Sequence, residues 1–188
     1  MSEAVLISVR PEWCEKIARG EKTIEVRKTR PKLETPFKCY IYCTAIKDRI
    51  KYTDEFDIPL STGQWMGNKN VVGEFVCDYI YGFTADDDYS YGVYDIDDDL
   101  VIKTGLVNGD LWSYGKGKPL FGWRISDLKI YDQPKSLSDF RKPCVNDLYC
   151  DSCAMFREYR KSCGNATLCI IRPPQSWCYV EEVQRCED

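Results

Sequence analysis

Four charged residues near the start of the chain have the types and spacing to do chemistry: Arg10, Lys22, Glu25 and Arg27. A lysine and a glutamate in one cleft can hold an amide-like edge, the carboxylate accepting from an amino group and the ammonium donating to a carbonyl. Nucleobases present such edges. Ser8 and Thr23 add hydroxyl groups to the same neighbourhood. The plain alternative is a set of solvated charges along an exposed strand face. The chain contains no histidine. That removes the commonest general base, Ser-His-Asp and Cys-His machinery, and every zinc site that uses His.

The cysteines form a second group. There are 11, and seven lie between Cys144 and Cys186. Cys150-Asp151-Ser152-Cys153 is a C-x-x-C knuckle, and Cys163 follows it. The first ten residues lack the basic start and long apolar core of a secretory signal, so the expected compartment is the cytoplasm, and metal binding is favoured over disulfides. The expectation is one structural zinc held in a closed tetrahedral shell by Cys144, Cys150, Cys153 and Cys163. Arg157, Arg160 and Lys161 are placed to offset the charge of four thiolates. Reduced thiols without metal, and a redox C-x-x-C pair, are the alternatives. Cys169, in the apolar run Leu168-Cys169-Ile170-Ile171, suits a buried core thiol better.

The elements that must position the charged group follow from local pattern. Ala4 to Val9 is apolar and β-rich and reads as a strand. Pro11 suits a first helical position, Glu12 and Glu15 sit where the helix dipole favours anions, and Gly20 closes a helix of about nine residues. Trp13 and Ile17, four apart, should face inward. From Thr23 to Arg30 the residues alternate, with Ile24 and Val26 on one face and Glu25 and Arg27 on the other. A short helix between two strands returns the chain, so Arg10, Lys22, Glu25 and Arg27 are predicted to converge.

Further strands are predicted over Phe37–Thr44, Val71–Tyr81, Leu120–Tyr131 and Cys178–Val183, with a short one at Ile170–Ile171. Gly73 marks a bulge or a close backbone approach, and Gly122 a bend. Residues 45–70 read as a surface insertion, Leu111–Tyr114 as a helical turn, and Ser136–Phe140 as the start of a short helix. Asp95, Asp97 and Asp99 look like the opening of a calcium loop. Leu100 and Leu106 stand where that loop needs its turn glycine and bidentate glutamate, so residues 85–99 read as a solvated acidic loop. The Arg172–Ser176 stretch reads as a link, with Trp177 and Tyr179 packing back.

Many strands with one clear helix cannot make a doubly wound parallel sheet. The expected class is α+β, mainly β: a small bent β-barrel with short peripheral helices, residues 1–140, and a cysteine-rich extension, residues 141–188, whose final strand returns to the barrel. A net charge of −4 argues against a duplex-coating protein. The charge is uneven: Arg10 to Lys38 is rich in Lys and Arg, and Asp78 to Asp110 holds nine Asp against one Lys. A small anionic ligand or a short nucleic-acid stretch suits the basic part. No apolar run is long enough to span a bilayer.

Ile7-Ser8-Val9-Arg10-Pro11 followed by Gly20-Glu21-Lys22-Thr23-Ile24-Glu25-Val26-Arg27 resembles the signature of the ASCH family in the PUA-like superfamily. Val71-Val72-Gly73-Glu74-Phe75 and Gly122-Trp123-Arg124-Ile125 resemble later strands of that barrel, and the likeness spans roughly residues 4–132. It implies a PUA-like barrel with a cleft beside the first helix that binds a nucleotide, a modified base or single-stranded RNA.

One branch of the family hydrolyses acylated cytidine with a Lys, a Thr and a Glu. Lys22 matches that lysine, Glu25 stands where the threonine falls, Thr23 faces away, and the glutamate has no counterpart. Binding is therefore favoured, through Ser8, Arg10, Lys22, Thr23, Glu25 and Arg27, with Trp65 and Trp112 as loop aromatics able to stack on a base. An amidohydrolase with Lys22 as its activated group, and an interaction module built on the acidic loop 85–99, are the alternatives.

Overall fold

The computed structural model describes residues 4–45, 69–86, 92–144 and 168–182. The run Ala4–Val9 is strand β1, and its neighbours explain why it is apolar at nearly every position. Val5, Ile7 and Val9 enter one core with Cys14, Ile17, Phe75 and Trp123, while Ala4 and Leu6 enter a second with Tyr40, Phe140 and Val180. A strand covered on both faces has no side for polar residues. Ser8 is the exception, and it lies at the cleft.

Helix α1 (Pro11–Ala18) starts on Pro11 and ends before Gly20, whose φ of 74° is a left-handed conformation suited to glycine. Cys14 and Ile17 are buried, whereas Trp13 packs on the core with one part and lines the cleft with another. Strand β2 (Ile24–Arg27) follows, with Ile24 and Val26 turned into a third core of Phe83, Tyr94, Leu111 and Leu120.

Strand β3 (Phe37–Cys43) pairs with β1 in parallel, Val5 opposite Cys39 through Val9 opposite Cys43. Two long strands form the spine of the sheet, β4 (Val71–Asp86) and β6 (Leu120–Lys135). Their antiparallel register slips three times, and such bulges bend and twist a strand pair enough to curl the sheet. A Cβ on Gly73 would lie 2.5 Å from the Lys129 oxygen, so the close approach read from the sequence is real. One on Gly122 would lie 2.5 Å from the Phe83 ring.

Between these strands come β5 (Val93–Asp95), α2 (Asp98–Thr104) and α3 (Asn108–Gly115). Strand β7 (Phe140–Arg141) and β8 (Trp177–Glu182) complete the order.

The architecture is mainly β, with three α-helices among the described residues, but the expected closed barrel is an open eight-stranded sheet. Its order is β2-β6-β4-β3-β1-β8-β7, with β5 on β4. The physical reason is edge occupancy. Strand β8 takes the second edge of β1, from Ala4 opposite Val180 to Ile7 opposite Trp177, so β2 has no edge of β1 to join. A gap stays open between β1 and β2.

Other expectations are also corrected. The acidic stretch 85–99 is not one loop. Its start extends β4, its middle forms β5, and its end opens α2, because Val93, Tyr94, Ile96, Leu100 and Val101 supply apolar contacts that the aspartates obscured. Helix α3 is a full element rather than a turn. Ile170–Ile171 is not a strand: Cys169 makes an isolated bridge to Arg141, Ile170 is buried and Ile171 is exposed. Ser136 opens a single turn of 3-10 helix, Leu137–Asp139.

Most of the 45–70 insertion, Trp65 in it, and most of the cysteine-rich stretch lie outside the described residues. Among the described residues, no helix is long and apolar enough to cross a membrane.

Candidate functional site

The gap between β1 and β2 opens into a cavity of about 650 Å³, within the range of small-ligand sites. Its walls come from Ser8 and Val9 at the end of β1, Arg10 and Trp13 at the start of α1, Lys22, and Glu25 to Arg27 on β2. Thr44 and Ala45 after β3, Leu106, Asp110 and Tyr114 on the α3 side, and Pro174 to Ser176 before β8 complete it. The last segment is fastened by Ser8, whose hydroxyl donates to the Pro174 oxygen at 2.7 Å and whose main-chain N–H donates to the Ser176 oxygen at 2.8 Å. The link to the final strand is therefore also a cleft wall.

The charged residues form a buried relay. Lys22 is 3% exposed and Glu25 4%. The Lys22 ammonium donates to the main-chain oxygens of Ile24 at 2.9 Å and Thr104 at 2.6 Å, and stands 3.3 Å from Glu25 Oε2 as an ion pair. It also lies 5.3 Å from the centre of the Trp13 ring, a cation–π distance. Thr104 ends α2, where carbonyl groups lack helical partners and the dipole favours a cation, so Lys22 caps that helix.

Burial lowers the Lys22 pKa from its ordinary value, the neighbouring Glu25 opposes that shift, and the nearby Arg27 adds to it. Arg27 donates through Nη2 to the Ser8 oxygen at 2.7 Å and pairs with Glu25 Oε1 at 3.1 Å, bridging the gap that strand pairing leaves open.

Two polar atoms of this relay are buried without a hydrogen bond among the described residues: Glu25 Oε2, whose ion pair with Lys22 lacks hydrogen-bond geometry, and Arg27 Nε. One is an acceptor and the other a donor. Native interiors satisfy nearly all such groups, so each unsatisfied one asks for an explanation. Val26 adds main-chain groups. The Ile125 N–H donates to the Thr23 oxygen and the Ile24 oxygen serves Lys22, so alternation turns the Val26 N–H and C=O away from β6, toward the cleft it lines.

The structure brings Ser8, Arg10, Lys22, Glu25 and Arg27 together in this cleft. Arg10 is at the rim, its side chain 77% exposed and loosely paired with Glu12. Thr23 stays outside: its main chain ties β2 to Lys103 and Ile125. Trp112 is also elsewhere, packed from α3 against Gly92, Gly117 and Tyr94.

The cleft aromatics are instead Trp13 and Tyr114. Trp13 was legible as a helix residue but read as core alone, since spacing shows which face is apolar and not that the face ends at a cavity. Among the metal candidates, Cys144 is half-buried, whereas Cys150, Cys153 and Cys163 lie outside the described residues. Among the described residues, no three Cys, Asp or Glu side chains are grouped to hold a metal.

The chain is an open, curled sheet with a polar cleft beside its first helix, and its likeness to solved structures gives it the fold of an ASCH domain. No family model matches the chain, and no curated protein matches it. Solved structures do. The crystal structure of ASCH from Zymomonas mobilis matches over 95% of this chain and 87% of its own, at 18% identity and a TM-score of 0.50. A mutant of that Zymomonas mobilis protein matches over 95% and 90%, at 17% identity and a TM-score of 0.49. The likeness establishes the fold.

Proposed function

We propose that the cleft binds a nucleotide, either free or as part of single-stranded RNA. The observation that carries this reading is a buried acceptor and donor that lack a hydrogen bond, Glu25 Oε2, held only by its ion pair with Lys22, and Arg27 Nε, in a nucleotide-sized cavity walled by Trp13 and Tyr114. A base edge with an amino group beside a ring nitrogen or carbonyl complements that pair. Both atoms are closed off from water, so a base edge reaches them only when the Glu25 and Arg27 side chains shift. Among the described residues, three cationic side chains against two carboxylates in the lining suit a phosphate-bearing ligand. Lys22 holds the site together rather than meeting the base, because its ammonium is already committed to two carbonyls and Glu25.

Calorimetric titration of Glu25→Gln against nucleoside 5′-monophosphates tests the reading. Loss of one charge-assisted hydrogen bond predicts an affinity drop of about tenfold or more, with thermal unfolding showing that the variant is folded. Wild-type affinity in the folded variant would overturn it.

The lowered pKa of Lys22 favours a second reading, an amidohydrolase on acylated nucleosides. Release of the acid from such a nucleoside, lost in Lys22→Arg, would establish it. The structural zinc on Cys144, Cys150, Cys153 and Cys163 stands as a separate proposal from the C-x-x-C spacing.

A further inference from the structure

We propose a second subsite, formed by Arg30, Lys32 and Tyr79, that takes the neighbouring nucleotide of a single-stranded RNA. It rests on the nucleotide reading of the main cleft and makes that ligand an oligonucleotide rather than a free nucleotide.

A separate cavity of about 250 Å³ is lined by the loop from Arg30 to Thr35 together with Tyr79 and Ile80. Arg27 lines the main cleft and Arg30 lines this one. Three residues of chain span at most about 11 Å between their Cα atoms, so the two linings are supplied by neighbouring positions of the same stretch of chain.

The ground between is cationic and aromatic. Lys28, exposed, has its ammonium 4.7 Å from the centre of the ring of Tyr114, itself a main-cleft residue. The Arg30 guanidinium lies 5.9 Å from the centre of the Phe121 ring. These are the parts of a single-strand groove: positive charge that follows a backbone and rings on which bases stack.

Tyr79 is 52% exposed, yet its ring is braced edge-on by Tyr81 at 4.8 Å. An exposed but held ring loses little freedom when a base stacks on it. The loop opposite is also held, since the Lys32 N–H donates to the Tyr179 hydroxyl at 2.8 Å and Pro31 is buried. Among the described residues, Glu34 is the only carboxylate in this lining, against Arg30 and Lys32. The nine-to-one excess of Asp over Lys from Asp78 to Asp110 would repel a duplex laid broadly on the molecule, whereas at this subsite a single strand meets that stretch at Tyr79 and Ile80, and the adjoining Asp78 is neutralised by its pair with Arg124.

The test compares a nucleoside 5′-monophosphate with a short mixed-sequence oligoribonucleotide, titrated at several salt concentrations. The oligonucleotide should bind about tenfold or more tightly than the monophosphate. Arg30→Ala with Lys32→Ala should weaken the oligonucleotide about tenfold and flatten its salt slope by about 0.7 for each phosphate no longer neutralised. Tyr79→Ala should weaken it by a similar factor without changing the slope. Neither change should touch monophosphate binding. These side chains lie outside the three cores, so thermal unfolding should stay near wild type.

Equal wild-type affinities for the two ligands, or unaltered oligonucleotide binding in these variants, would overturn the second subsite. If Glu25→Gln still weakened the monophosphate, the main-cleft reading would survive that loss. If wild type bound neither ligand, both would fall.

Discussion

The Lys22 ammonium donates to the main-chain oxygen of Thr104 at 2.6 Å, joining the start of β2 to the end of α2 across a long stretch of chain. Thr104 is itself fully buried, with its hydroxyl donating to the Val101 oxygen at 2.6 Å. Removing the ammonium would orphan two carbonyls and leave Glu25 with Arg27 alone. Lys22→Met is therefore expected to destabilise the fold by about 3–5 kcal/mol, the cost of breaking a buried pair from one side. Urea unfolding reads this directly. A loss under about 1 kcal/mol, the range of an exposed pair, would show that Lys22 is not structural.

The two tryptophans separate support from recognition. Trp13→Ala should weaken nucleotide binding by about 1–3 kcal/mol, the worth of one stacked base, and Trp13→Phe should restore part of it. Trp112→Ala should leave binding unchanged and lower stability by about 2–4 kcal/mol, because it empties the space between Tyr94 and Gly117. Parallel calorimetry and thermal unfolding of both variants would expose a reversed assignment.

Alkaline pH should destabilise the protein. Burial raises the thiols of Cys14 and Cys39 well above their ordinary value and that of Cys77 from 9.0 to about 12. Between those limits the unfolded chain has released protons that the folded chain keeps, so stability falls as pH rises. Lys22 acts in the opposite sense. Its lowered pKa lets the folded chain release a proton below 10.5 that the unfolded chain still holds, so its burial penalty eases as pH rises. Three thiols outweigh one lysine. Denaturant midpoints should drop above pH 9.0, and more gently in Cys77→Ala, although that variant starts lower. A flat profile would refute the account.

Protein purified without chelator should carry about one zinc per chain if Cys144, Cys150, Cys153 and Cys163 are the ligands. Elemental analysis measures it, and Cys150→Ser with Cys153→Ser should abolish it. A content well below one would end the proposal.

Much of the fold was legible because local signals agreed. Pro11 and Gly20 bracketed α1, alternation placed Glu25 and Arg27 opposite Ile24 and Val26, and Gly73 marked a close approach. The α2–α3 region was hidden for a physical reason. Its apolar contacts are sparse between aspartates, and Val101, Leu111 and Tyr94 form a core only when β2 and β4 supply Ile24, Val26 and Phe83. Glycine neighbours suggest a loop around Trp112, whereas Gly92 and Gly117 are the small residues that let its ring pack closely.

By itself, the sequence placed Arg10, Lys22, Glu25 and Arg27 on one strand–helix–strand unit that lets them meet, and left an exposed strand face open as the alternative. Tertiary structure alone decided what each does there. Long-range pairing puts β8 against β1, keeps the sheet open at β2, and brings the Thr104 oxygen to Lys22. Those distant partners occupy the lysine and leave Arg27 Nε without a hydrogen bond and Glu25 Oε2 with only its ion pair to Lys22. Hydrogen-bond supply and demand within a buried site is a sum over the whole fold, which no local stretch of residues contains.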